Sequence, residues 1–183
     1  MIWLAGGAVL LLLAAIVLYN QLVRAKVKVR QAWAQVDAQL QRRHDLIPNL
    51  VATVGAYAAH ERDVFERVTQ ARSDALAVTD PVARQDAEDH LGAALSGLLA
   101  LSERYPDLKA DENFRHLQTE LSATEDRLAF ARDFANDRVA RYRKLADTVP
   151  GLLIARPFGF PREAMFATDD ERASRSPDVR LGG

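Results

Sequence analysis

The side chains best suited to chemistry are four histidines, and their spacing decides which kinds of site they could form. His60-Glu61 begins like the HExxH motif of zinc proteases, but Val64 occupies the position of the second histidine ligand. A di-iron helical bundle needs Glu-x-x-His on two of its helices, and none of the four histidines has a glutamate three residues before it. Neither kind of metal centre is therefore predicted.

The acidic run DAEDH at residues 86–90 offers further ligand-type side chains. It is interpreted either as a weak metal site or as the solvated face of a helix, and the solvated face is favoured. The sequence contains no phosphate-binding glycine loop and no G-x-S-x-G elbow. Cysteine is absent, which excludes disulfides, thiolate metal sites, a cysteine nucleophile and a lipid-modified cysteine. We expect no catalytic residue, no cofactor and no metal, and a protein that is not an enzyme.

A second group of polar residues lies on or near the apolar stripes of the predicted helices. One interpretation is that they form salt-bridged polar layers that fix the helix register, because buried ion pairs are best attested as specificity devices. The other is a binding surface around Pro48. The residues are Arg42, Arg43, Asp45, Glu61, Arg72, Glu103, Glu125, Arg132 and Asn136. The candidate interaction surface consists of Arg42, Arg43, Asp45, Pro48 and Glu61, with Phe158 and Phe160 from an apolar C-terminal segment.

The elements that must position these residues are helices. Alanine, leucine, glutamine, arginine and glutamate dominate the 183 residues, and no strand-like alternation is sustained. The fold class is therefore predicted as all-α, with one domain and an anchor. A formal net charge of −1 gives no electrostatic reason to expect nucleic acid as a partner.

The anchor is predicted at residues 1–23. Residues 1–18 carry no charged side chain and would span roughly 27 Å as a helix, close to the ~30 Å hydrocarbon core of a bilayer. A cleaved signal peptide and a buried core helix are the alternatives, and a retained transmembrane helix is favoured. The residues Arg24, Lys26, Lys28 and Arg30 follow it with no acid before Asp37. The positive-inside rule then predicts a single pass through the cell (inner) membrane with the bundle in the cytoplasm. The same four residues are also expected to contact anionic lipid headgroups.

The bundle is predicted at residues 24–150. Apolar residues from Leu22 onward recur at helical spacing without a break, so the anchor should continue into an antiparallel bundle of three to four long helices. Pro48 is expected to kink the first helix, which should continue towards a turn at Thr79-Asp80-Pro81. Further helices are expected from 81 to about 104 and from 111–113 to about 148. The spacing in the last of these is typical of coiled-coil packing.

The C-terminal part divides into two segments. Residues 151–167 are apolar but rich in proline and glycine, so an extended segment lying on the bundle is expected, with Phe158, Phe160 and Phe166 as anchors. Residues 168–183 are polar and lack aromatic side chains, which predicts disorder.

Several stretches resemble the LemA family of bacterial membrane proteins. The most specific are RRHDLIPNLV at 42–51 and YPDLKA at 105–110, within longer similar stretches at 19–23, 31–61, 71–75, 101–132 and 154–160. The resemblance implies an N-terminal transmembrane helix followed by an antiparallel bundle of long helices. The family has no agreed enzymatic activity, so no catalytic residue is carried over. Some relatives resemble lipoproteins, but this chain lacks the cysteine that such a modification needs.

Three functions are considered. The favoured one is a non-enzymatic scaffold or sensor at the bacterial cytoplasmic membrane, with the lipid bilayer, a second copy of the chain, or an unidentified membrane protein as partners. The second is an accessory subunit of a membrane protease or envelope-stress system. The third is a hydrolase or metal enzyme, which the pattern of polar residues disfavours.

Overall fold

The computed structural model describes residues 2–165, apart from the side chains at positions 2, 81 and 82. These residues form six α-helices and one 3-10 turn, with no strand in the described part of the chain. The elements are α1 (Ile2–Tyr57), α2 (Arg62–Ala77), α3 (Pro81–Leu99), the 3-10 turn (Ala100–Glu103), α4 (Pro106–Ala110), α5 (Glu112–Asp147) and α6 (Gly151–Ala155). The all-α prediction is confirmed. The expected disorder at 168–183 and the expected anchor Phe166 lie outside the described residues.

The two longest helices, α1 and α5, are antiparallel. The Tyr57 hydroxyl at the end of α1 donates to Asp111 just before α5, at an oxygen–oxygen distance of 2.9 Å. At the opposite end, Leu22 of α1 packs in one apolar cluster with Tyr142 of α5. The chain therefore returns at the end of α5 to the level at which the apolar N-terminal segment ends.

The helices α2 and α3 pair with each other and complete a four-helix head. Phe65 of α2 lies against Gly55 of α1, and Arg72 further along α2 contacts His44, so α2 runs back along α1. Arg84 near the start of α3 pairs with Asp37, and Glu88 one turn later pairs with Arg43. The helix α3 therefore runs in the same direction as α1. We call residues 37–57, 62–77, 81–99 and 112–125 the head, and residues 22–36 and 128–147 the stalk.

Local sequence signals explain where the helices begin. The Asp80 carboxylate accepts a hydrogen bond from the Ala83 backbone N–H at 2.9 Å, directly before Pro81 as the first residue of α3. Asp111 caps α5 in the same way by accepting from the Phe114 N–H at 2.8 Å. One face of α3 is buried, and so is one face of α5 along most of its length. The buried positions are Leu91, Leu95 and Leu98 on α3, continued by Leu101 in the 3-10 turn, and Phe114, Leu121, Thr124, Leu128, Ala131, Ala135, Val139 and Tyr142 on α5.

One helix was expected to continue past Pro48 to the turn at residue 79, and this expectation is wrong. The helix α1 does pass through Pro48, but it ends at Tyr57, and a tight turn over residues 58–61 leads into α2. The turn is closed by hydrogen bonds from the Ala58 N–H to Val54 and from the Glu61 N–H to Ala58, both at 2.9 Å. Folding back buries Val68 and Ala75 completely in the head. A continued helix would leave both of these side chains outside the core.

The apolar N-terminal part of α1 contacts little else. Its large side chains from Trp3 to Val17 are exposed, which contradicts the buried-core alternative. Within the described residues α1 is the one helix long and apolar enough to cross a membrane.

The segment after α5 lies beside the end of this apolar part. It begins as the short helix α6 where an extended segment was expected. The Tyr19 ring packs edge-on against Phe158 and Phe160, with centroids 5.2 and 5.7 Å apart. The Tyr142 hydroxyl donates to the Pro161 carbonyl at 2.7 Å and holds the segment in place. The segment thus packs on the outer end of the stalk and away from the head.

Candidate functional site

Two neighbouring residues of α1, Arg43 and His44, form the centre of a buried polar cluster in the head. Arg43 Nη1 lies 3.1 Å from Glu88 Oε2, and His44 Nε2 lies 2.7 Å from Glu88 Oε1. The three side chains are between 1 and 6% exposed. Both oxygens of one carboxylate on α3 are therefore used by two consecutive side chains of α1.

The same two residues also reach α2 and α5. Arg43 Nε lies 2.7 Å from Glu125 Oε1, close enough for an ion pair although its N–H does not point at that oxygen. Arg72 Nε donates to the backbone carbonyl of His44 at 3.0 Å. We call Arg43, His44, Arg72, Glu88 and Glu125 the polar hub. It joins all four helices of the head at one level.

The contact from Arg72 has a specific physical cause. In an α-helix the His44 carbonyl accepts from the N–H four residues later, and that residue is Pro48, which has none. The Arg72 guanidinium donates to the His44 carbonyl in place of this missing backbone N–H. The proline therefore creates a binding position for α2 on the backbone of α1.

Gly92 gives the Arg43 guanidinium its room on α3. A Cβ atom added at Gly92 would lie 3.1 Å from Arg43 Nη2, tighter than ordinary van der Waals contact. Glycine inside a helix costs about 1 kcal/mol relative to alanine. The close approach of α3 to Arg43 accounts for glycine at this position.

The protonation of the cluster follows from its geometry. His44 Nε2 and Glu88 Oε1 share a hydrogen bond, and His44 Nδ1 has no hydrogen-bond partner in the described structure. Burial opposes ionisation of Glu88, but the hydrogen bond from His44 and the positive charge of Arg43 outweigh it. Together they hold the pKa of Glu88 below its ordinary value of 4.5.

This pKa shift predicts a specific pH dependence. Because the folded pKa of Glu88 lies below 4.5, its ionised form stabilises the head above that pH. The stabilisation is lost as the pH falls from 4.5 through the lower folded pKa. We expect Glu88→Gln to remove this part of the acid-induced loss of stability, measured by urea denaturation of the full chain on both sides of pH 4.5. Glu66→Gln, at an exposed position of α2, should keep the wild-type slope. Parallel curves for all three proteins would contradict the assignment.

The structure separates the residues of the candidate interaction surface. Arg43 is buried in the hub and does not lie on an exposed surface around Pro48. Its charge is used by Glu88 and Glu125, as the polar-layer interpretation expects. Arg42, by contrast, is half exposed and pairs with Glu120 at 2.6 Å. Asp45 and Pro48 are exposed on α1.

The remaining members of that surface lie at the two ends of the molecule. Glu61 is at the far tip of the head, where its Oε1 lies 2.9 Å from Arg104 Nη2. Phe158 and Phe160 are at the opposite end, beside Tyr19. Between Tyr19 and Tyr57, next to the turn that carries Glu61, α1 rises through 38 residues, or roughly 57 Å of helix. The candidate residues therefore form three separate sites.

Sequence reasoning missed Glu88 and His44. Glu88 belongs to the acidic run at 86–90, which was interpreted as a solvated face, yet its side chain is 1% exposed. The signal lay in the spacing, because Glu88 precedes Leu91, Leu95 and Leu98 by three, seven and ten residues on one helical face. His44 was considered only as a metal ligand.

Among residues 2–165 no group of three ligand-type side chains could hold a metal ion. Elemental analysis of the full chain would test the expected lack of metal.

Comparison with known proteins agrees with the resemblance seen in the sequence. The Magnetosome protein MamQ of Magnetospirillum gryphiswaldense is 24% identical over 174 residues, covering 81% of this chain and 64% of that protein. Protein LemA of Metamycoplasma hominis is 27% identical over 113 residues, covering 60% of this chain and 50% of that protein. The chain thus spans less than two thirds of either relative. The model of the LemA family matches residues 32–181, which include the whole head and all of the stalk except residues 22–31. The chain belongs to the LemA family.

Proposed function

We propose that this chain is a non-enzymatic, membrane-anchored scaffold or sensor of the bacterial cytoplasmic membrane. The observation that supports this is the continuity of α1, which runs without interruption from the apolar segment through the stalk to the far end of the head. From Leu18 to Tyr57 the helix extends about 60 Å. A single rigid element thus joins the predicted membrane anchor to the head.

The stalk consists of two paired helices, because the long helix α5 packs against α1. The antiparallel helix α5 packs along α1 over the full length of the stalk through two apolar clusters. The tip of the head is itself tied together by the Glu61–Arg104 and Tyr57–Asp111 contacts. Such an arrangement supports presentation of the head at a fixed distance from a bilayer. The hub supports a non-enzymatic role, because its central residues Arg43, His44 and Glu88 are buried and bind one another.

The orientation in the membrane is a prediction from the basic residues between Arg24 and Arg30. With alkaline phosphatase fused after Gly183 we expect no phosphatase activity, and a fluorescent protein at the same place should be bright. The measurement is enzyme activity and fluorescence of cells expressing each fusion at equal level. An active phosphatase would place the head outside the cytoplasm and would overturn this orientation.

Capture of the full chain from native membranes tests the function itself. A tagged chain, cross-linked before extraction, should recover further copies of itself or another membrane protein. A tagged single-span protein of unrelated sequence is the control. Recovery of a membrane protease would favour the accessory-subunit hypothesis. Recovery of the tagged chain alone, as a monomer, would contradict a scaffold.

A further inference from the structure

A basic groove lies between α1 and α5 at the end of the stalk that is farthest from the head. Its volume is about 590 Å³, and it is lined by cations from both helices. These are Arg24 and Lys28 of α1 and Arg138, Arg141 and Lys144 of α5. Among the described residues that line the groove, none carries a carboxylate. The three cations of α5 are far from those of α1 in sequence, so the groove exists only in the folded chain.

Little in the described structure neutralises these charges. Arg141 Nε pairs with Asp137 at 3.0 Å, and the Arg138 guanidinium lies over the Phe134 ring at 4.4 Å. No salt bridge in the described part of the chain involves Arg24, Lys28 or Lys144. Cations gathered on one face without acids repel one another, and an anion placed among them removes that repulsion. The groove is therefore complementary to a negatively charged group.

The depth of the groove identifies the source of that group. If Leu18 marks the end of the hydrocarbon core, Arg24 lies about 9 Å and Lys28 about 15 Å beyond it along the helix. The headgroup layer of a bilayer is roughly 5–8 Å thick on each side. Tyr19, Phe158 and Phe160 form an aromatic cluster at the same level, as aromatic residues do at membrane interfaces. Arg24 thus lies just beyond the headgroup layer, and its long side chain can reach back to the lipid phosphates, whereas Lys28 lies farther from the membrane.

The fold places three of the four basic residues that follow the anchor on two different faces of the stalk. Arg24 and Lys28 line the groove, while Lys26 lies over the Phe160 ring, 5.8 Å from its centroid, on the side of α1 that faces the C-terminal segment. Tyr142 and Arg143 of α5 also bind that segment, so it packs on a different face of the stalk from the groove. The C-terminal segment therefore covers one face of the stalk, and the face that carries the groove is exposed and positively charged.

We propose that this groove binds the phosphate-bearing headgroup of an anionic phospholipid from the bilayer that α1 enters. The proposal rests on the membrane position proposed above. The lipid phosphate is held between the cations of α1 and α5, and its acyl chains extend beside the apolar part of α1. Bound lipid then fixes the angle between the stalk and the membrane surface, because both helices of the stalk contact one headgroup.

The test uses the purified full chain in a neutral detergent, titrated with phosphatidylglycerol or phosphatidylcholine, with bound lipid counted by native mass spectrometry. The variant Arg141→Gln/Lys144→Gln removes two groove cations and leaves the basic residues of α1, which set topology, unchanged. The control Arg115→Gln/Arg127→Gln removes the same charge from exposed positions of α5 outside the groove. We expect phosphatidylglycerol binding to weaken about tenfold or more in the groove variant and to stay within about twofold in the control.

Three outcomes would overturn the proposal. Equal weakening in both double variants would show that net charge alone attracts lipid. Equal binding of phosphatidylcholine and phosphatidylglycerol would show that the groove does not select an anion. Displacement of the lipid by glycerol phosphate at equal concentration would make the groove a site for a soluble anion.

Circular dichroism checks the fold of each variant, and Lys144→Gln alone serves if the double variant does not fold. The membrane anchor is tested separately, by retention of the chain in membranes, so its failure is distinguishable from failure of the groove.

Discussion

Replacing Arg43 by alanine is expected to lower the free energy of unfolding of the head by about 3–5 kcal/mol, because it leaves a buried carboxylate without its cation. Glu88 is 1% exposed, and Arg43 and His44 are its partners in the hub. Without the guanidinium, Glu88 keeps its hydrogen bond with His44 and the weaker electrostatic attraction of Arg132. The loss also frees Glu125 on α5 from α1. Urea denaturation of the full chain in detergent, followed by circular dichroism, measures the effect.

Arg42→Ala is the matched control, since it removes the same group from the adjacent position. Arg42 is half exposed and its pair with Glu120 is near the surface, so its loss should cost less than about 1 kcal/mol. Equal small losses in the two variants would contradict a buried polar layer at Arg43. A stable Arg43→Ala variant that no longer captured a partner would instead return Arg43 to a binding role.

The helices could be predicted from the sequence because their signals are local. The apolar spacing in α5 identifies its buried face from Phe114 to Tyr142, whatever the helix packs against. Asp80, Pro81 and Asp111 mark helix starts through contacts within three residues of themselves. Pro48 could be placed inside a helix for the same reason, since the apolar pattern continues on both sides of it.

The turn at residues 58–61 and the burial of Glu88 could not be predicted in this way. The turn carries no proline or glycine, and it forms because α2 gains more by packing back on the head than by extending α1. Glu88 shares the helical face of Leu91, but a glutamate on such a face is acceptable only with a buried cation opposite. That cation is Arg43, 45 residues earlier on another helix. The position of Phe158 beside Tyr19 likewise depends on α5 returning the chain to the apolar N-terminal part of α1.

Pro48→Ala is expected to stabilise the head by less than the ~3 kcal/mol that proline costs inside a helix. Alanine restores an N–H facing the His44 carbonyl, but Arg72 already donates to that carbonyl at 3.0 Å. Arg72→Ala alone should cost about 1–3 kcal/mol, since it leaves the carbonyl without a donor. In the Pro48→Ala background the same change should cost less, because the new N–H replaces the guanidinium.

The double-mutant cycle therefore predicts a coupling of about 0.5–3 kcal/mol between two residues on different helices. Arg67→Ala, at an exposed position of α2, is the control and should be additive with Pro48→Ala. Additivity for Arg72 as well would mean that the guanidinium does not compensate for the proline.

The same variants also test whether the proline shapes a binding surface. If it does, Pro48→Ala keeps the head folded but weakens recovery of cross-linked partners, whereas an undiminished recovery restricts Pro48 to joining α1 and α2 through Arg72.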